Sequence, residues 1–222
     1  MSTESNYLAD IRIIGFDLDQ TLYPKSPLID EKIQEYLYQK IAEHKNVSLG
    51  EAEKLFKERY RDGVGMSGRK TIEDLGLSDA SSIVQEALER ADIASTLEPD
   101  REINRLLADM RARYEGVDLI TGSDGYQTKK KLQALGLNEM FSHIITEDQG
   151  TKSNGEGYQL WLSLYPNLKP NQFLYVGDRV QIDHEVPSSL GIRTALVYVK
   201  EINLDLLCLQ YASLKDLLAV LS

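Results

Sequence analysis

The stretch Ile11-Arg12-Ile13-Ile14-Gly15-Phe16-Asp17-Leu18-Asp19-Gln20-Thr21-Leu22-Tyr23 decides the fold. It begins with a short apolar run, Ile11 to Phe16, that is rich in β-branched residues. Such a run predicts a β-strand that is buried on both faces, as in a parallel sheet. Two aspartates, Asp17 and Asp19, follow at the point where this strand would end, so we expect both carboxylates at the carboxyl edge of a sheet.

Further apolar runs of the same kind recur along the chain, and each is followed by Gly, Asp, Thr or Ser. Helical patterns lie between the later runs, and glycines stop two of them. Strand, helix and strand in alternation predict an α/β fold with a doubly wound parallel sheet, a Rossmann-like core. The predicted strands are Ile11 to Phe16, Val117 to Ile120, His143 to Ile145, Phe173 to Val176 and Thr194 to Val199, and the predicted helices are Arg101 to Tyr114, Gly125 to Leu135, Gly155 to Leu164 and Asp183 to Leu190.

The segment between the first two strands is different, because residues 23–97 contain no convincing strand pattern. Ser48 and Glu51 form a capping-box signature at the start of one of several helical patterns there. We therefore expect an all-helical cap domain at 23–97, inserted into a catalytic core formed by 1–22 and 98–222. Such an insertion would cover the carboxyl edge of the sheet, where ligands bind in open α/β folds.

Charge and hydropathy exclude several classes of partner. The 222 residues carry a formal net charge of -10 without a continuous basic stripe, which argues against a nucleic-acid polymer. No apolar run approaches the roughly 18 residues of a membrane span, so we expect no membrane partner. The stretch Met1 to Asp10 lacks the basic and apolar regions of a signal peptide, and the single Cys208 cannot form an internal disulfide. These features favour the cytoplasm, and they leave the oligomeric state open.

Asp17 and Asp19 have a use in phosphoryl transfer. Asp17 can attack a phosphorus atom, while Asp19 can protonate the leaving oxygen and later take a proton from water. The alternative is a solvated acidic turn or a pair of helix caps, which two aspartates alone do not exclude.

A second acidic pair lies in Gly177-Asp178-Arg179-Val180-Gln181-Ile182-Asp183, directly after another predicted strand. Asp178 and Asp183 would emerge at the same sheet edge, where four converging carboxylates repel one another. Mg²⁺, a hard cation that takes oxygen ligands, is the simplest way to offset that repulsion. In the alternative interpretation, Asp183 only caps the next helix and Asp178 is structural.

Two further segments supply groups for a phosphate. Thr121, Gly122 and Ser123 combine hydroxyls with the backbone amides of small residues at a strand exit that leads into a helix. Ser123 or Asp124 also fits the N-cap of that helix. Lys152 follows the third apolar run and can neutralise the nucleophile and a transferred phosphoryl group, although a lysine in a polar loop is usually solvated.

These four clusters, in this order, resemble the four motifs of the haloacid dehalogenase superfamily, and the resemblance spans Ile11 to Val199. It implies that Asp17 is the nucleophile, Asp19 the acid/base and Thr121 a phosphate contact. It further implies that Lys152 stabilises charge and that Asp178 and Asp183 lie near Mg²⁺, whose shell Asp17 and the backbone carbonyl of Asp19 complete. Two positions depart from the usual pattern, since Gly122 stands where asparagine is frequent and Ser153 where proline often follows the lysine.

Within this superfamily, the presence of Asp19 favours assignment to the phosphatases and phosphomutases, because the dehalogenase branch lacks an aspartate at this position. The resemblance therefore implies hydrolysis of a small-molecule phosphomonoester, such as a nucleotide or a sugar phosphate, through an aspartyl-phosphate. A phosphomutase is the alternative, followed by a non-catalytic aspartyl-phosphate sensor. The glycine-rich, basic segment Tyr60 to Lys70 fits either a substrate contact or a flexible loop.

Overall fold

The computed structural model describes residues 7–61 and 68–222, which divide into two compact units. One unit comprises the chain up to Lys25 together with Leu97–Ser222, and the other is Ser26–Thr96. Most of the glycine-rich segment between Tyr60 and Lys70 lies outside the described residues. In the described part of the chain, no helix is both long and apolar enough to cross a bilayer.

The elements follow in chain order. They are β1 (Ile13–Phe16), α1 (Pro27–Lys45), α2 (Leu49–Tyr60), α3 (Gly68–Asp74), α4 (Ala80–Ala91), α5 (Arg101–Arg113), β2 (Gly116–Ile120), α6 (Gly125–Ala134), β3 (Ile144–Ile145), α7 (Glu156–Ser163), β4 (Phe173–Gly177), α8 (Val186–Ser189), β5 (Arg193–Leu196), β6 (Leu209–Gln210) and α9 (Leu214–Leu221). Short 3₁₀ turns cover Ile93–Thr96 and Pro170–Gln172, and a π-helical turn covers Val180–Glu185.

The larger unit is built on one sheet of six parallel strands in the order β3-β2-β1-β4-β5-β6. This order confirms the predicted doubly wound, Rossmann-like fold. The chain runs outward from β1 to β3 and then returns to the other side of β1 with β4, so the direction of winding reverses between β1 and β4. Ligands bind outside the carboxyl ends of the strands at such a switch point.

Strand register sets which residues meet at that edge. Phe16, the last residue of β1, pairs with Leu119 of β2 on one side and with Val176 of β4 on the other. All residues of these three strands are buried, as expected for apolar strands covered on both faces. The residues that follow the three strands therefore leave the sheet side by side.

The smaller unit consists of helices α1 to α4 and the 3₁₀ turn that follows, within the residues that the structure describes. Its core contains buried apolar side chains from all four helices, among them Leu37, Phe56, Ile72 and Ala87. The predicted capping box at the start of α2 is confirmed, since Ser48 accepts the amide of Glu51 and Glu51 accepts the amide of Ser48. This cap satisfies two of the backbone donors that every helix start leaves unpaired.

Candidate active site

Asp17 lies directly after β1 and is almost completely buried. Its amide donates to the carbonyl of Val176, which continues the β1–β4 pairing and fixes the backbone at the strand exit. The Nζ of Lys152 lies 2.6 Å from Asp17 Oδ1. Residues 135 positions apart in the chain are thus brought together.

Lys152 also binds a second carboxylate. Its Nζ lies 2.7 Å from Asp183 Oδ1, and its side chain is only 2% exposed. Burial would lower the pKa of this ammonium group, but the charges of Asp17 and Asp183 outweigh that effect and raise it. Lys152 is therefore held in its charged form between two buried carboxylates.

Asp183 fixes the loop that carries Asp178. Its Oδ2 accepts the backbone amides of Asp178 and Arg179, at 3.3 and 3.0 Å. Gly177 makes this arrangement possible, because a Cβ atom there would lie 2.3 Å from the Cβ of Asp183. The predicted helix from Asp183 to Leu190 is wrong in its start, because the π-helical turn Val180–Glu185 precedes α8 and places Asp183 inside a turn instead of at a helix cap.

Three carboxylates converge at this point. One oxygen from each of Asp17, Asp178 and Asp183 lies within 4.8 Å of the other two. Burial, together with the neighbouring carboxylates, raises the pKa of Asp178 to about 7. Burial also raises the pKa of Asp17 to about 6, against the opposing charge of Lys152.

This arrangement fits a hard divalent cation. Asp178 Oδ1 is buried and has no hydrogen-bond partner among the described residues. Leaving such an atom unpaired is costly, and a cation with oxygen ligands would satisfy it while neutralising the clustered carboxylates. The chemistry and burial of these three carboxylates therefore suit a divalent cation.

The side chain of Asp19 belongs to a different cluster. Its Oδ1 accepts from Lys131 Nζ at 2.5 Å and from the hydroxyl of Tyr23, and its Oδ2 accepts from Ser123 Oγ at 2.5 Å. Burial alone would raise its pKa, but the charge of Lys131 and these hydrogen bonds lower it below the ordinary value. With its carboxylate so engaged, the predicted metal contact of Asp19 remains the one through its backbone carbonyl.

The exit of β2 provides the remaining predicted residues. Thr121 is fully buried, and its Oγ1 accepts the amide of Ser123 at 3.1 Å. Asp124 caps α6 by accepting the amide of Gln127, which leaves the Ser123 hydroxyl for Asp19. Gly122 is exposed, and a side chain added there would enter open space.

Sequence reasoning missed Lys131. It lies in the run Lys129 to Lys131, which by composition is typical of a solvated surface. Helical phase was the available signal: Thr128, Lys131 and Leu132 occupy positions i, i+3 and i+4 of α6, and all three are buried. Tyr23 lies at the end of the first motif, and the sequence pattern predicted no role for it.

Comparison with known proteins gives a family match and one similar protein of named activity. The family profile described as haloacid dehalogenase-like hydrolase matches residues 14–197. A glyceraldehyde 3-phosphate phosphatase of Methanocaldococcus jannaschii is 27% identical over 195 residues, which cover 84% of this chain and 85% of that protein.

Solved structures add a likeness of fold. A phosphatase of the same superfamily from Thermococcus onnurineus has a TM-score of 0.68 at 20% identity, over 96% of this chain and 98% of the other. A putative β-phosphoglucomutase from Thermotoga maritima has a TM-score of 0.63 at 20% identity, over 95% and 98% of the two chains.

Proposed function

Because this chain belongs to the haloacid dehalogenase-like hydrolase family, we propose that it is a Mg²⁺-dependent phosphatase that hydrolyses a small-molecule phosphomonoester. The separation of the two aspartates of the first motif carries this proposal. Asp17 is paired with Lys152 within the acidic cluster, whereas Asp19 is held by Lys131 and Ser123. Two carboxylates in two environments suit two roles, a nucleophile and an acid/base.

In the first step, an oxygen of Asp17 attacks the phosphorus atom in line with the ester oxygen. The bond between phosphorus and Asp17 forms as the ester bond breaks. Asp19 must first take up a proton, because Lys131 and its hydrogen bonds lower its pKa in the resting site, and it then gives that proton to the departing alkoxide. The product is an alcohol and an aspartyl-phosphate on Asp17. Lys152, 2.6 Å from Asp17 Oδ1, stabilises negative charge on the transferring group.

In the second step, water attacks the phosphorus atom of the aspartyl-phosphate. Asp19 takes the proton of that water, the bond to Asp17 breaks and inorganic phosphate leaves. Each turnover thus returns both carboxyl groups to their starting states. We assign Thr121 and Gly122 to contacts with the phosphoryl oxygens, through the Thr121 hydroxyl and the Gly122 backbone amide. Ser123 is assigned through its backbone amide, which would exchange its bond to Thr121 Oγ1 for a phosphoryl oxygen.

We assign the Mg²⁺ ion to the carboxylates of Asp17, Asp178 and Asp183 and to the backbone carbonyl of Asp19. When bound, the ion supplies positive charge that offsets the carboxylates and the charge developing on the phosphoryl oxygens. The unpaired Asp178 Oδ1 supports this assignment.

A relative of named activity supports the proposed substrate class. A glyceraldehyde 3-phosphate phosphatase is 27% identical over most of both chains, which supports a small phosphorylated metabolite as the substrate. We further propose that the helical unit Ser26–Thr96 acts as the cap that sets selectivity among such substrates. The alternative, a phosphomutase, would return the phosphoryl group to a sugar.

The test is a screen of phosphomonoesters, comprising triose phosphates, hexose phosphates and nucleotides, in Mg²⁺ and in excess EDTA. We expect release of inorganic phosphate that requires Mg²⁺ and is lost in Asp17→Asn. Full turnover in EDTA would contradict the metal assignment. A sugar phosphate that isomerises without phosphate release would identify the mutase, and a stable phosphoprotein without turnover would identify the sensor.

A further inference from the structure

We propose that Lys131 is a positioning residue that fixes the orientation of the Asp19 carboxylate for proton transfer, an inference that rests on the proposed function. Lys131 lies on α6, more than one hundred residues after Asp19 in the chain, and belongs to none of the four motifs. Its Nζ lies 2.5 Å from Asp19 Oδ1 and 2.9 Å from Ser123 Oγ. The Ser123 hydroxyl in turn donates to Asp19 Oδ2 at 2.5 Å.

These contacts close a ring around one carboxylate. Both oxygens of Asp19 are engaged, one by Lys131 and Tyr23 and the other by Ser123. The donors come from three separate places, namely the segment after β1, the turn after β2 and helix α6. A carboxylate held from three directions keeps one rotamer, and the loss of any one partner weakens that restraint.

Burial shows that Lys131 is not an ordinary surface cation. Its side chain is 5% exposed, while its neighbour Lys129 on the same helix is exposed. Burying an ammonium group costs several kcal/mol in lost hydration, and an ion pair regains this cost only with good geometry. An apolar residue beside Leu132 would pack at this position without that cost, but it would leave the Asp19 carboxylate without its charged partner.

Orientation matters for an acid/base group because it must lie within hydrogen-bond reach of the oxygen that it protonates. A displacement of about 1 Å can lower a rate by as much as about 10²-fold. Removal of Lys131 leaves Asp19 with Ser123 and Tyr23 and without its charged partner. The loss should therefore fall on proton transfer to the leaving group.

The two buried lysines of the site contact different aspartates. Lys152 contacts Asp17 and Asp183, and Lys131 contacts Asp19 and Ser123. Lys131→Met should consequently spare reactions that need no proton on the leaving oxygen. This leaving-group dependence distinguishes a positioning role from a general loss of structure.

The experiment measures kcat/KM for an alkyl phosphate and for nitrophenyl phosphate with Mg²⁺ present. This ratio reports the steps up to departure of the leaving group, so the later hydrolysis of the phosphoenzyme does not enter. The variants are Lys131→Met, Lys131→Arg, Asp19→Asn, the double variant Lys131→Met with Asp19→Asn, and the matched control Lys129→Met.

We expect Lys131→Met to lower kcat/KM by about 10- to 100-fold on the alkyl phosphate and by less than about 5-fold on nitrophenyl phosphate. In the Asp19→Asn background, Lys131→Met should cost no more than about 3-fold, because a residue that acts through Asp19 has nothing left to position. Lys131→Arg should recover part of the loss, and Lys129→Met should match the wild type.

Equal losses on the two substrates, or an undiminished loss in the Asp19→Asn background, would overturn the positioning role. Should Lys131→Met fail to fold by circular dichroism, the ratio of the two substrates for Lys131→Arg decides in the same way. The proposed function fails separately, if the wild-type protein hydrolyses neither phosphate or if Asp17→Asn remains active.

Discussion

Replacement of Lys152 by methionine tests the electrostatics of the acidic cluster. The ammonium group lies 2.6 Å from Asp17 Oδ1 and 2.7 Å from Asp183 Oδ1, and the side chain is 2% exposed. Methionine keeps an unbranched apolar chain of similar length and removes the charge. Packing is thus largely preserved, and the two carboxylates lose their buried counter-charge.

The expected cost follows from this burial. Removing one partner of a buried ion pair typically destabilises a protein by about 3–5 kcal/mol, because the remaining charge is left uncompensated. We expect a loss of this size at about pH 8 in EDTA, which is a large part of the roughly 5–15 kcal/mol that holds a domain folded. At about pH 5 the loss should be smaller, since burial raises the pKa of Asp17 to about 6 and a protonated carboxyl needs no counter-charge.

The assay is urea unfolding in EDTA at both pH values, followed by the fluorescence of Trp161, the single tryptophan, which is buried in the larger unit. Lys129→Met is the matched control, because its side chain is exposed and its removal should change the free energy of unfolding by less than about 0.5 kcal/mol. A loss below about 1 kcal/mol for Lys152→Met at about pH 8, or the same loss at both pH values, would refute the reasoning.

Two further predictions concern the same cluster. In EDTA, the wild-type protein should become more stable as the pH falls from about 8 to about 5, because the raised pKa values, about 6 for Asp17 and about 7 for Asp178, make the folded state bind more protons than the unfolded state. Mg²⁺ should reduce this change of stability with pH. A urea midpoint that does not change with pH in EDTA would contradict the prediction. Gly177→Ala should destabilise by about 1–3 kcal/mol and weaken Mg²⁺ binding in titration calorimetry, because its Cβ would lie 2.3 Å from that of Asp183. Gly50→Ala, where a Cβ meets open space, is the control, and equal behaviour of the two variants would remove the packing argument.

The sheet was predictable because most of its strands have a recognisable local sequence pattern. Short, β-branched runs such as the one ending at Phe16 are buried on both faces, and the polar residue after each one marks the strand exit. Strand β6 has only two half-buried residues, Leu209 and Gln210, and offers no such pattern. Helix α9 was missed although Leu214, Leu217, Leu218 and Leu221 have helical spacing after the cap Ser213.

The site was predictable to the extent that it rests on strand exits. Parallel register brings the ends of β1, β2 and β4 together, so the meeting of Asp17 with Asp178 follows from the pattern. The contact of Lys131 with Asp19 could not be predicted from the sequence, because the burial of Lys131 depends on the rotation of α6 about its axis and a lysine is rarely buried. The π-helical turn around Asp183 likewise depends on a tertiary contact, the acceptance of two backbone amides by its carboxylate.

The central claim is that Asp17 becomes phosphorylated during turnover, and trapping that phosphoenzyme tests it most directly. The measurement is rapid acid quenching of Asp19→Asn with radiolabelled nitrophenyl phosphate and Mg²⁺, followed by peptide mapping. This variant keeps the nucleophile but lacks the base that activates water, so the intermediate should accumulate. We predict a hydroxylamine-labile label on the peptide that contains Asp17, and none when Asp17→Asn is added. Phosphate release without a labelled intermediate, or a label on another residue, would contradict the mechanism.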